Sequence, residues 1–235
     1  MPRKLRLLII EDEAAIRTGL IDVFVYHGYE VDFSGHGVEG LNKALTGKFD
    51  LILLDVMLPG MNGFEVCNRI REMSRDQAII MVTAKCNDED IIEGLSLGAD
   101  DYVAKPFSVA QLVLRVQAVL RRTRNGHVQN SLLELGDDIS IDCQNLSGRR
   151  KDENLSFTRR EIEILQYLQS HSNRPVPREE LLAKVWGYAN HLEIETRTVD
   201  IHIAKLRRKI ETDPAEPQFL ITVRGAGYRL VGQMK

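Results

Sequence analysis

The sequence predicts two domains of different class: an α/β domain over residues 1–122 and an α+β domain over residues 132–235, joined by a linker at 123–131. Three observations carry this. In the first half, apolar runs of four to six residues alternate with amphipathic stretches of ten to fifteen, which is the rhythm of βαβ units on a parallel sheet. After Leu132 the pattern changes to short strands with polar turns, then helices and a final hairpin. Between the two, Thr123-Arg124-Asn125-Gly126-His127-Val128-Gln129-Asn130-Ser131 has little apolar content and no period. As a flexible segment it would span about 15 to 18 Å.

The elements of the first half end alike. Leu7-Leu8-Ile9-Ile10 ends in Glu11-Asp12, Phe49-Asp50-Leu51-Ile52-Leu53-Leu54 in Asp55, Ile79-Ile80-Met81-Val82 in Thr83, and Tyr102-Val103-Ala104 in Lys105-Pro106. In a parallel sheet these ends share one edge, where open α/β folds place their sites. The last helix of this half opens at Ser108 as N-cap, carries Leu112, Val113, Val116 and Leu120 at helical spacing, and ends in Arg121-Arg122, which suits its C-terminal dipole. In the second half, short strands run from Leu132 to about Leu155. Thr158-Arg159-Arg160-Glu161 forms a capping box before Ile162, Leu165 and Leu168. A second helix spans Arg178 to Trp186 with Gly187 as terminator, and a third spans Arg197 to Ile210. Phe219 to Val223, the turn Arg224-Gly225-Ala226-Gly227, and Tyr228 to Val231 make the hairpin.

Composition bounds the function. With 235 residues, 43% hydrophobic and 28% charged, the chain has the make-up of a globular protein with a real core. No apolar stretch reaches the roughly 18 residues of a membrane span. The apolar segment after Met1-Pro2-Arg3-Lys4 meets Glu11 too soon for a signal peptide, so a cytoplasmic location is expected. Cys67, Cys86 and Cys143 are odd in number and far apart, which suggests neither disulfides nor a zinc site. Lys+Arg against Asp+Glu is 15 to 18 through Asn125 and 16 to 16 afterwards, so only local clusters can identify partners.

One such cluster is acidic. If Glu11, Asp12 and Asp55 converge, each close pair costs about 4 kcal/mol at roughly 4 Å and an effective dielectric near 20. A bound cation removes that cost, and exposed oxygen ligands suit Mg²⁺. With charge neutralised, Asp55 can attack phosphorus to give an aspartyl phosphate, while Thr83 and Lys105 reach the phosphoryl oxygens from neighbouring strands. Residues 1–122 resemble the receiver domain of a two-component response regulator, through Ile10-Glu11-Asp12-Glu13, Leu53 to Gly63, Val82-Thr83-Ala84 and Gly98 to Phe107. The resemblance implies a doubly wound, flavodoxin-like, five-stranded parallel sheet. It also implies phosphate transfer to Asp55 from a sensor histidine kinase, and Mg²⁺ held by Glu11, Asp12, Asp55 and the Met57 carbonyl. Tyr102 matches an aromatic switch that moves with Thr83. A haloacid-dehalogenase-like phosphohydrolase would need a second Asp where Met57 stands as proton donor. A flavodoxin-like flavin binder would need a glycine-rich phosphate loop where Glu11-Asp12 stands. The chain is thus expected to modify itself rather than to turn over a diffusing substrate.

The second cluster is basic. Val199, Ile203, Leu206 and Ile210 make a core stripe, and between Arg197 and Lys209 five basic residues oppose only Asp200. Such a helix fits a DNA major groove, with the hairpin tip as a second contact. Residues 132–235 resemble the winged-helix effector domain of the OmpR/PhoB family, through Arg197 to Ile203, Leu206 to Ile210 and Thr222 to Leu230. The resemblance implies DNA contacts at Arg197, Thr198, His202, Lys205, Arg208, Thr222 and Arg224, and an approach to RNA polymerase through Gly187 to Glu195. It further implies a homodimer, formed on phosphorylation through the face that includes Asp100, Asp101, Arg115 and Arg122, with binding to tandem half-sites on promoter DNA. One ion pair usual to that interface is replaced here by Ile91 and Gln111.

Overall fold

The computed structural model describes residues 3–84, 88–124, 132–188 and 197–232, and the side chains of residues 88, 89 and 122–124 lie outside that description. The chain divides into two units, Met1–Arg124 and Asn125–Lys235.

The first unit runs β1 (Arg6–Ile10), α1 (Ala14–Tyr26), β2 (Glu30–Ser34), α2 (Gly37–Ala44), β3 (Leu51–Leu54), α3 (Gly63–Met73), β4 (Ala78–Thr83), α4 (Asp88–Leu97), β5 (Asp101–Ala104) and α5 (Val109–Arg124). Its sheet is parallel, in the order β2-β1-β3-β4-β5. The four apolar runs become β1, β3, β4 and β5. Every residue of β3 and β4 is buried, because helices cover a parallel sheet on both faces. β2 is an edge strand of mixed pattern, Glu30-Val31-Asp32-Phe33-Ser34, so no apolar run marks it. On one face Leu20 and Phe24 of α1 and Leu112, Val116 and Leu120 of α5 pack on Leu7, Ile9, Leu51, Leu53, Ile80 and Val82. α2 lies so close to β1 that a Cβ on Gly40 would sit 2.7 Å from Ile10 Cδ1.

Since β1 is flanked by β2 on one side and β3 on the other, the chain leaves it in opposite directions. A crevice opens at the strands' carboxyl ends between β1 and β3. The loop after β3 folds back tightly there: a Cβ on Gly63 would lie 2.0 Å from the Asp55 carbonyl oxygen. Helix α5 continues to Arg124, two residues beyond the expected boundary at 122. The rest of the expected linker, 125–131, lies outside the described residues.

The second unit begins with an antiparallel sheet of β6 (Leu132–Leu135), β7 (Ile139–Asp142), β8 (Ser147–Arg150) and β9 (Glu153–Ser156). α6 (Arg159–Ser170) opens with the expected capping box: Glu161 N donates to Thr158 Oγ1 at 3.3 Å, and Thr158 N donates to Glu161 Oε2 at 2.8 Å. α7 (Arg178–Leu181) passes into a π-helical turn, Leu182–Trp186, that stops at Gly187 with φ +74°. α8 (Arg197–Ile210) is followed by the hairpin of β10 (Leu220–Val223) and β11 (Gly227–Leu230). Cys67 and Cys143 are buried, while Cys86 lies outside the described residues. Among the described residues no helix is long and apolar enough to cross a membrane.

A buried charge cluster joins α6 to α8. Glu161 is fully enclosed; Lys209 Nζ lies 2.7 Å from its Oε2 and Lys205 Nζ 3.2 Å from its Oε1. Burial alone would raise the Glu161 pKa, but the two ammonium charges outweigh it and hold the group below the usual carboxylate range. Beside it His202 packs edge-on against Trp186 at 5.3 Å, and neither ring nitrogen has a hydrogen-bond partner among the described residues. Burial first, then the charges of Lys205 and Arg160, push its pKa down to about 3. That value lies below the 6.5 of an unfolded chain. Between the two, the unfolded chain binds the proton more tightly, so stability falls as pH drops through 6.5. Urea unfolding followed by fluorescence of Trp186, the chain's only tryptophan, should therefore register this unit losing about 2 kcal/mol between roughly pH 8 and pH 5. His202→Leu should flatten that slope, and a variant profile as steep as the parent's would rule His202 out as its source.

Candidate functional site

Glu11 and Asp12 follow β1 directly, and Asp55 follows the adjacent β3, its N–H donating to Ile10 O at 2.9 Å. One carboxylate oxygen from each of the three residues falls within 4.8 Å of the others. Glu11 and Asp55 are buried, whereas Asp12 is exposed and opens the cluster to solvent. Lys105, directly after β5, reaches across: its Nζ lies 2.7 Å from Asp55 Oδ2 and 2.8 Å from Glu11 Oε2. Met57 N donates to Asp55 Oδ1 at 3.0 Å, which fixes the loop that carries the expected Met57 carbonyl. Thr83 ends β4 and is fully buried, and exposed Ala84 follows it.

The electrostatics explain this arrangement. Burial raises the Glu11 pKa, with the Asp55 charge adding to the effect and Lys105 opposing it, to about 7. Burial works to lower the Lys105 pKa, but hydrogen bonds to Asp55 and Glu11 outweigh it and raise the value. Glu11 stays high because burial outweighs its share of an ammonium that also answers Asp55. Hard oxygen donors converging on a partly hydrated point suit a divalent cation such as Mg²⁺, so this donor set fits one.

Tyr102 is turned inward. It pairs in register with Met81, and a Cβ on Gly94 would lie 3.1 Å from its ring and 2.6 Å from Met81 Sδ. Two residues expected at a dimer surface are not on offer. Asp100 is buried, 3.1 Å from Arg71 Nη2, and accepts the Ile79 N–H at 2.8 Å. Asp101 is buried 2.6 Å from Arg115 Nη1. Breaking such enclosed pairs is costly; Asp100 ties the start of β5 to α3 and β4, and Asp101 and Arg115 tie β5 to α5. That region exposes apolar Ile92, Val109 and Leu114 among polar Glu93, Gln111 and Gln117, with Ile91 half-buried. The Arg122 side chain lies outside the described residues.

α8 requires a further correction. His202 stands three residues from Val199 and four from Leu206, so the helical period itself turns it into the core, and it has no surface for DNA. Thr198 is buried, and Lys205 points inward to Glu161. Arg208 and Arg224 are exposed and Arg197 is half-buried, while Thr222 is exposed and accepts from Arg207 Nη2 at 2.8 Å. Sequence reasoning missed the parts that join helix to hairpin. Arg207 Nε also donates to Leu220 O at 2.8 Å, and the single acid Asp200 is held by Arg178 Nε at 2.6 Å and by the Tyr228 hydroxyl at 2.5 Å. The expected polymerase segment, Gly187 to Glu195, lies outside the described residues from 189 onward.

Residues 7–117 match the family described as "Response regulator receiver domain", and residues 152–230 match "Transcriptional regulatory protein, C terminal". The chain is 41% identical over 229 residues to "Probable transcriptional regulator ycf27" of Guillardia theta, covering 96% of this chain and 90% of that one. It is 40% identical over 232 residues to "Alkaline phosphatase synthesis transcriptional regulatory protein PhoP" of Bacillus subtilis, covering 96% of both. Among solved structures, DrrB of Thermotoga maritima, described as an OmpR/PhoB homolog, superposes with a TM-score of 0.52 at 30% identity, over 98% of this chain and all of that one. With an acidic cluster at the edge of a parallel sheet and a basic helix beside a hairpin, the chain belongs to the OmpR/PhoB family of two-component response regulators, which are phosphorylation-activated, DNA-binding regulators of transcription.

Proposed function

We propose that Asp55 is the phosphoacceptor and that the phosphate it takes is a signal read out on promoter DNA. The observation that carries this is the placement of Lys105 Nζ 2.7 Å from Asp55, inside a three-carboxylate cluster. An Asp55 carboxylate oxygen attacks the phosphorus of a sensor kinase's phosphohistidine. The O–P bond forms, the P–N bond breaks, and the imidazole leaves with its electron pair and takes a proton. Mg²⁺, held by Glu11, Asp12, Asp55 and the Met57 carbonyl, would supply neutralisation of charge on the transferred group. Lys105 and the Thr83 hydroxyl then donate to the phosphoryl oxygens.

The phosphorylated state need only be bound better in one conformation to shift the population. Thr83 and Tyr102 are the residues proposed to carry that shift to a homodimer surface that includes Ile91 and the apolar group Ile92, Val109 and Leu114. The paired effector units would occupy tandem half-sites, with Arg197, Arg208, Thr222 and Arg224 on DNA and the segment at 187–195 toward RNA polymerase. Work on promoter DNA is cytoplasmic work, and no turnover of a diffusing substrate is involved.

Labelling with acetyl phosphate and Mg²⁺, read by intact mass, should be abolished in Asp55→Asn. It should persist in Lys105→Ala without the accompanying gain in promoter binding. A labelled Asp55→Asn protein would defeat the assignment. For the effector unit, Arg224→Ala should weaken specific and nonspecific duplexes alike and reduce the salt slope of binding by about one. A loss confined to the specific duplex would instead make Arg224 a base reader.

A further inference from the structure

We infer that Arg17 is a positioning residue for the cation site, acting through the backbone of the residues that carry the carboxylates. This rests on the reading of Glu11, Asp12 and Asp55 as cation ligands. Arg17 lies in the first turns of α1, outside the carboxylate cluster. Its Nη1 donates to the carbonyl oxygen of Glu11 at 2.6 Å and to that of Asp12 at 2.9 Å. One nitrogen thus holds the carbonyls of Glu11 and Asp12, the two cation-ligand candidates of the β1–α1 loop.

A longer bond assists: Glu13 N, in the same peptide as the Asp12 carbonyl, donates to Glu11 Oε1 at 3.3 Å. The N-cap position of α1 is Glu13, whose side chain makes no capping bond. Glu11 N donates to Ser34 O at 3.0 Å, which anchors the entry to the loop but not its carbonyls. The guanidinium is itself seated: its carbon lies 5.8 Å from the centre of the Phe33 ring, and a Cβ on Gly35 would come within 3.3 Å of Nη1. Phe33, exposed on the edge strand β2, therefore has a use as the platform on which the clamp rests.

The chemistry explains why a clamp matters. Two carboxylates held close to a third repel one another, and a loop free to rotate its peptides relieves that repulsion by splaying them. Cation affinity depends on the carboxylates staying together before the cation arrives. Groups that orient metal ligands from behind typically contribute roughly 10- to 100-fold in metal affinity.

The test is calorimetric titration of Mg²⁺ into the full-length chain and its Arg17→Met and Arg17→Lys variants. Arg17→Met keeps the apolar stem and removes the donors, so its Mg²⁺ dissociation constant should rise by roughly 10- to 100-fold. Arg17→Lys should recover part of the loss, and Phe33→Leu should weaken binding in the same direction by less. The half-saturating Mg²⁺ for acetyl phosphate labelling should move with the dissociation constant, while the rate at saturating Mg²⁺ stays within about twofold of the parent, since Arg17 acts through ligand placement alone. Equal Mg²⁺ affinity in parent and Arg17→Met, or a loss that Arg17→Lys does not relieve, would overturn the role given to Arg17. A parent chain that binds no Mg²⁺ would overturn the cation reading and this inference with it.

Discussion

An ammonium group placed between two buried carboxylates is the interaction on which the first unit depends. Glu11 and Asp55 end neighbouring strands, and the topology leaves them facing one another across the crevice. Left alone they would repel by about 4 kcal/mol at roughly 4 Å and an effective dielectric near 20. Lys105 comes from β5, two strands from β3, to answer both. The geometry of sheet, crevice and charge is therefore one problem. The strand order that makes the crevice also brings the acids together and sets the distance the lysine must span.

Glu161 is the mirror case in the second unit, with one buried carboxylate facing two ammonium groups. Here the excess charge is positive, so the acid titrates low where Glu11 titrates high. His202, enclosed beside Lys205, stays neutral first because it is buried and then because of the positive charge around it. Each cluster solves burial of charge by pairing, but only the first keeps an exposed carboxylate, Asp12, through which a cation can be reached. That difference separates a site from a structural joint.

What could be read from the sequence was whatever local chemistry announces. Apolar runs of inner strands, the Thr158–Glu161 capping box and the terminator Gly187 are short-range signals, and they appear where expected. The edge strand β2 gave no run because charged residues alternate with apolar ones along it, Glu30-Val31-Asp32-Phe33. Asp100 and Asp101 read as surface charges, since their role is set by Arg71, 29 residues earlier, and by Arg115 on another element. A role for His202 on DNA follows only from its place in a motif, whereas the helical period through Val199 and Leu206 puts it inside. Arg17 had no signal beyond one basic residue a turn after an acidic loop, because its partners are backbone carbonyls that any sequence would supply.

The bonds that join α8 to its surroundings have a genetic meaning. Glu161 on α6 receives two lysines of α8, and Tyr228 on the hairpin holds Asp200 together with Arg178. Selection for mutants that have lost promoter occupancy will therefore return substitutions at Glu161, Tyr228 and Arg178 alongside those on the DNA-binding surface. A map of such mutants would run inward from the exposed face to buried residues that touch no DNA.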